Sequence, residues 1–238
     1  MPILANMLLL AVFEGGSTPS LTAPEIVQRM VQADNERLAA LAGYSGMRHY
    51  RFENKKSGKT AEMTVRMSCS GDGVKTFEVV AENGSGFVRR HIIGKMIEAE
   101  EESSRKGERK ESRIIPENYD FRLMGTDILD GRQNYVLEIT PKNATKFTIR
   151  GRIWVDAEEF AIARIQGEPA KNPSFWIRSA EVEQRYGRTG PFWLPSLNHS
   201  VAQARVFGAT EVVIEYSDYK TSVREAQVHL GGAEGARQ

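Results

Sequence analysis

The stretch "FTIRGRIWVDAEEFAIARIQGEP", Phe147 to Pro169, constrains the fold more than any other. Phe147, Ile149, Gly151, Ile153 and Val155 fall on one side of an extended chain, and Thr148, Arg150, Arg152, Trp154 and Asp156 on the other. A period of two with one apolar and one mostly charged face predicts a half-buried β-strand. Asp156 to Phe160 then supply a polar turn, and Ala161 to Gly167 return as a second strand until Pro169 stops the pairing. A strand with one apolar face needs a cover for it, and a single ribbon cannot provide one.

The rest of the chain repeats the problem. Strands are predicted at about Met47–Glu53, Ala61–Cys69, Val74–Glu82, Phe121–Ile128, Gln133–Thr140, Ser174–Tyr186, Leu197–Phe207 and Glu211–Tyr219, ten with the ribbon. Asp130-Gly131 is a tight-turn signal between two of them. Ahead of the strands, Thr22 is an N-cap, Glu25 closes a capping box and Pro24 sits in the first turn of an amphipathic helix that Gly43 ends. Its stripe is Ile26, Val27, Met30, Val31, Leu38 and Leu41. A second helix is predicted to begin near His91 in the insert Phe87–Ser112, with Ile92, Ile93, Met96, Ile97 and Ala99 at helical spacing. The charges from Glu98 to Glu111 read as a solvated face and loop. Arg89 and Arg90 near its start and Glu100 to Glu102 near its end oppose the helix dipole, so this helix depends on docking and suits a mobile cover. The fold class expected is mainly β with α: one unclosed antiparallel β-barrel of about ten strands, with helices over its concave face.

With 238 residues, 40% of them hydrophobic, the chain is long enough to bury a core as one domain, expected over residues 23–222. Residues 1–22 are expected to be a signal peptide or flexible segment, and 223–238 a disordered tail. Ile3 to Phe13 match a signal-peptide apolar region and are shorter than the roughly 20 residues of a spanning helix. Against export, no Lys or Arg precedes the run and no clean small-x-small site follows, so a mis-assigned start or a segment packed on the domain is the competing reading. No cysteine follows closely, which removes a lipobox anchor. The expectation is an exported, periplasmic protein without a lipid anchor.

Lys and Arg number 32 against 31 Asp and Glu, which gives no electrostatic reason to bind nucleic acid. The single cysteine, Cys69, excludes an internal disulfide and reads as a small core residue. His49, His91, His199 and His229 are scattered without metal spacing, and no GxSxG elbow or phosphate loop is present, so no catalytic residue, metal or cofactor is expected. Asn83-Gly-Ser-Gly reads as a turn.

"GRQNYVLEITPK" (Gly131–Lys142), "GRIWVDAEEFAIARIQGEP" and "PFWLPSLNHS", in that order behind an initial helix, resemble the periplasmic lipoprotein carriers LolA and LolB and the outer-membrane lipoprotein-sorting proteins related to them. The likeness runs through roughly Ala23 to Lys220, and its short Trp-Val-Asp hairpin is shared with sensors of the same fold such as RseB and with mycobacterial lipoproteins. It implies a half-barrel whose apolar cavity holds acyl chains, with lipid or lipoprotein as partner and a membrane-associated donor or acceptor. The sequence shows no counterpart of the arginine that ties down the lid in the carriers. The function expected is a soluble envelope carrier of lipid or lipoprotein; the alternative is a sensor or protein-interaction module of the same fold without cargo, and an enzyme is the third class.

The cavity candidates are the alternate apolar residues of several strands: Met63, Val65 and Met67; Tyr135, Leu137 and Ile139; Ile149, Ile153 and Val155; Trp176, Val182 and Tyr186; Val212, Ile214 and Tyr216. The competing reading for each is plain packing under the two helices. An acyl chain gains roughly 0.8 kcal/mol per methylene taken out of water, so shielding one needs an apolar trough and no polar chemistry.

Overall fold

The computed structural model describes residues 21–106, 113–172, 177–205 and 208–224. The first helix, α1 (Ala23–Ala40), leads into strands β1 (Leu41–Asn54), β2 (Thr60–Ser70) and β3 (Lys75–Gly84). A helical insert follows: a short turn α2 (Gly86–Val88), a π-helical turn over Arg89–Ile93, and α3 (Gly94–Lys106). The remaining strands are β4 (Tyr119–Leu129), β5 (Arg132–Pro141), β6 (Ile149–Asp156), β7 (Ile162–Pro169), β8 (Ile177–Thr189), β9 (Phe192–Ala204) and β10 (Gly208–Val223).

All ten strands form one antiparallel sheet in the order β3-β2-β1-β10-β9-β8-β7-β6-β5-β4. The sheet is not closed, because β3 and β4 are its two edges. The insert lies between the two edge strands in the chain, and its described helices pack on the β3 side of the sheet. Turn chemistry sets the meander: at the β4–β5 corner Asp130 and Gly131 both take positive φ, 50° and 77°, the geometry a two-residue hairpin requires.

Two apolar clusters fill the concave face. The first lies under α1, where Ile26, Val27 and Met30 pack on Tyr119, Leu137, Ile139, Ile153, Val155 and Ile165. Its layers follow the strand register, Tyr135 opposite Val155, and Leu137 opposite Ile153, which faces Ile165 in turn. The second lies under the insert, where Val88, Ile93 and Ile97 cover Tyr50, Phe52, Ala61, Met63, Val65 and Ile214. Tyr50 anchors it between Met63 on one neighbouring strand and Ile214 on the other. Each fully buried side chain of this size contributes roughly 1.5–3 kcal/mol, which is how a highly charged insert is held. The convex face carries cross-strand ion pairs such as Arg51–Glu215, Arg66–Glu78 and Arg122–Glu138, which account for the balanced charge.

The boundaries that differ from the sequence reading with most consequence are those of α1, β6 and the insert. Helix α1 stops at Ala40, not Gly43, because Leu41 already pairs with Val223 on β10. Leu41 is therefore a strand residue, and Leu38 is 50% exposed, so neither belongs to the packed stripe. Phe147 precedes β6 and is 53% exposed, so the apolar face of that strand begins at Ile149. The insert starts at Gly86, five residues before His91, with Ser85 accepting the Val88 N–H as its cap. It continues to Lys106, through most of the stretch read as a solvated loop. The N-terminal run Ile3–Phe13 and the tail after Val228 lie outside the described residues.

Candidate functional site

The two clusters share no residue, and beside the first, under the C-terminal half of α1, is a cavity of about 510 Å³. Helix α1 supplies one wall with Met30, Val31 and Leu38. The floor is Ile149, Ile162, Ile165, Tyr186 and Leu194 from four strands. Tyr44, Cys69, Ile114 and Ile115 close the far side, and Asp34, Arg37 and Arg113 bring charge to an otherwise apolar lining. No residue of the second cluster reaches it.

The polar end is ordered by α1. Arg113 donates to Asp34 Oδ2 at 2.6 Å and to Asn35 Oδ1 at 2.9 Å, which pins the chain after the insert to the helix. Arg37 donates to the carbonyl oxygen of Glu159, in the β6–β7 turn, and among the described residues it forms no ion pair. Burial first, and the nearby Asp34 charge second, push the Tyr186 hydroxyl up to about 12, so it remains a donor at any ordinary pH.

Three features hold the cavity's surroundings. The Trp-Val-Asp hairpin is structural: Trp154 Nε1 donates to Asp127 Oδ2 at 2.9 Å, and buried Asp156 takes a two-pronged contact from Arg132 at 2.6 and 2.9 Å. Asp156 also accepts the backbone N–H groups of Glu158 and Glu159. Burial works to raise its pKa, but Arg132 and the two amides outweigh that and hold the carboxyl below its usual range. At the rim, Tyr219 donates to the carbonyl oxygen of Pro195 at 2.8 Å, with its ring 6.0 Å from that of Tyr44.

The third feature is Arg48, only 3% exposed on the concave face of β1. Its Nη1 and Nη2 donate to the two carboxylate oxygens of Glu100 on α3 at 2.6 and 3.1 Å. Its guanidinium lies 5.1 Å from the centroid of the Phe77 ring and 5.0 Å from that of Tyr216. Lys75 also pairs with Glu100. Burial disfavours both charges, yet the pairing prevails, raising the Arg48 pKa and lowering that of Glu100 to about 2. This corrects the reading of Glu98–Glu111 as wholly solvated, and it supplies an arginine tying the covering helix to the sheet. The signal for it was present: Gly46, Arg48, Tyr50 and Phe52 alternate onto the inner face, and Arg48 is the charge that breaks the pattern.

Of the fifteen candidate residues, Ile149 and Tyr186 line the cavity. Leu137, Ile153 and Val155 are fully buried beneath α1, and Tyr135 packs at that cluster's margin with its ring stacked 6.3 Å from Phe160. Met63, Val65 and Ile214 belong to the cluster under the insert, with Tyr216 beside it, and Met67 is buried outside both clusters. Trp176 lies outside the described residues. Asp34, Arg37, Arg113 and Leu194 were not singled out from the sequence. Among the described residues no group of three or more His, Cys, Asp or Glu is placed to hold a metal ion, and no helix is long and apolar enough to cross a membrane.

No family model matches the sequence, and no curated protein matches it. Solved structures align along most of it at low similarity. A DUF1329 family protein from Desulfovibrio piger has a TM-score of 0.48 at 14% identity, over 89% of this chain and 95% of its own. An outer membrane lipoprotein-sorting protein domain from Vibrio parahaemolyticus has a TM-score of 0.43 at 12% identity, over 84% and 92%. A LolA superfamily protein from Nitrosomonas europaea has a TM-score of 0.39 at 14% identity, over 87% and 96%.

Proposed function

We propose that this protein is an envelope carrier that shields lipid acyl chains in the cavity beside α1, exported and acting between a membrane-associated donor and acceptor. The observation that carries the reading is the cavity itself: about 510 Å³ of largely apolar space between α1 and the sheet. A module working only through protein contacts has no use for such a space, and shielding a chain requires no nucleophile or metal. The insert, docked by its apolar face and by the Arg48–Glu100 pair, covers the second apolar cluster and leaves the cavity beside α1 as the space for cargo.

Ile149 tests this. Ile149→Glu places a carboxylate where the chain should lie, and the desolvation penalty should abolish binding of a fluorescent fatty acid while the half-buried position lets the protein fold. Arg150→Glu, on the opposite face, replaces an exposed partner of Glu168 and should leave binding nearly unchanged. A folded Ile149→Glu that binds the probe as well as the parent refutes the carrier reading at this site.

A further inference from the structure

The cavity's polar end narrows the cargo. At the polar end, the Tyr186 hydroxyl lines the cavity and has no hydrogen-bond partner among the described residues, although Asp34 stands close enough to influence it electrostatically. Arg37 shares that lining and meets only a neutral carbonyl oxygen, whereas Arg113 is neutralised by Asp34. An unpaired O–H and an arginine without a carboxylate partner, at one end of an apolar space, are the complement of an anionic oxygen head.

We infer that the cargo is an amphiphile with an anionic head, its chain over Ile149 and Ile165 and its head beside Tyr186 and Arg37. This rests on the carrier reading and specifies the ligand class within it. The two sources of such a head, a fatty-acid carboxylate and a phosphate monoester, share the chemistry and are separated by the test.

Calorimetric titration of the full chain with palmitate, dodecyl phosphate and dodecyl maltoside, each below its micelle concentration, decides it. Palmitate or dodecyl phosphate should bind at one per chain, the tighter of the two naming the source, and each more tightly than the maltoside. Tyr186→Phe keeps the ring, and Arg37→Gln changes a half-buried helix position, so both should fold as judged by thermal melting. Each should weaken the anionic ligands about tenfold, the scale of one charge-assisted hydrogen bond, and leave the maltoside unchanged. A maltoside that binds as tightly as the anionic ligands overturns the anionic-head inference while sparing the carrier reading. Equal losses for maltoside and phosphate overturn the head assignment. No binding of any of the three overturns both readings.

Discussion

Arg48 on β1 and Glu100 on α3 form a two-pronged ion pair at 2.6 and 3.1 Å, joining an arginine that is 3% exposed to the helix of the insert. Paired, the two groups repay their desolvation; unpaired, the arginine is stranded in an apolar setting.

Removing the carboxylate should therefore do more than a surface substitution does. Glu100→Ala is expected to cost about 3–5 kcal/mol in urea unfolding, the scale for stranding a buried charge. The loss should be local first: backbone amides of residues 86–106 should exchange faster than in the parent, while those of β5 and β6 keep their protection. Glu100→Gln, which retains an acceptor, should fall between the two. Unchanged exchange across the insert in Glu100→Ala would show that the pair does not hold the cover.

The same pair gives a pH dependence. Glu100 titrates at about 2 in the folded protein against 4.5 as the ordinary value, so the unfolded chain takes up the proton first as pH falls. Its contribution is complete above about pH 4.5 and is lost as pH drops through 2. Other carboxylates held below their usual range, Asp156 and Glu183 among them, act in the same direction, so the parent's melting curve alone does not isolate Glu100. The difference in melting temperature between parent and Glu100→Gln does: it should shrink steadily from pH 4.5 to pH 2. A constant difference across that window would remove Glu100 from the acid response.

The strands were legible because their signal is local. Each of the ten predicted strands overlaps an observed one, since a period-two apolar face needs nothing beyond a few residues to declare itself. The capping box was legible for the same reason: Thr22 and Glu25 are three residues apart, and the Thr22 N–H donates to Glu25 at 2.8 Å. Arg48 and Glu100 are 52 residues apart, and nothing near Glu100 distinguishes it from the solvated Glu98. The cavity was the least legible, because a void is a property of what does not meet. Ile149 and Ile153 share a strand face, yet Ile149 borders open space and Ile153 is fully buried, a difference set by where α1 ends and the chain after the insert returns.

Asp156 is expected to be among the most sensitive residues outside the apolar clusters. It is 1% exposed and at once satisfies Arg132 and closes the β6–β7 turn through two backbone amides. Asp156→Ala leaves the two backbone amides without an acceptor and Arg132 with only Glu158 and Glu159, and should cost about 2–4 kcal/mol in urea unfolding, where Asp156→Asn, which retains one oxygen, should cost about half as much. A loss under about 0.5 kcal/mol for the alanine variant, the range of ordinary surface changes, would mean that the turn finds other partners.

Gly46 offers a sharper test of the rim. A Cβ built there would lie 2.9 Å from Cδ1 of Tyr219 and 3.0 Å from the carbonyl oxygen of Ser217, so one must yield. The tyrosine ring is the softer of the two, but its hydroxyl is anchored on Pro195, a residue of the cavity lining. A methyl at position 46 should push the ring off that anchor, and Gly46→Ala is expected to cost about 1–3 kcal/mol, the usual penalty for overpacking. Tyr219→Phe, which loses the hydrogen bond and keeps the ring, should cost about 0.5–1.5 kcal/mol. The decisive comparison is a double-mutant cycle. In a Tyr219→Ala background the ring is gone, so Gly46→Ala should become about 1 kcal/mol less costly than in the parent, the remaining penalty coming from the Ser217 carbonyl. Strict additivity of the two substitutions would mean that the glycine is required by the strand backbone alone and that Tyr219 does not shape the rim.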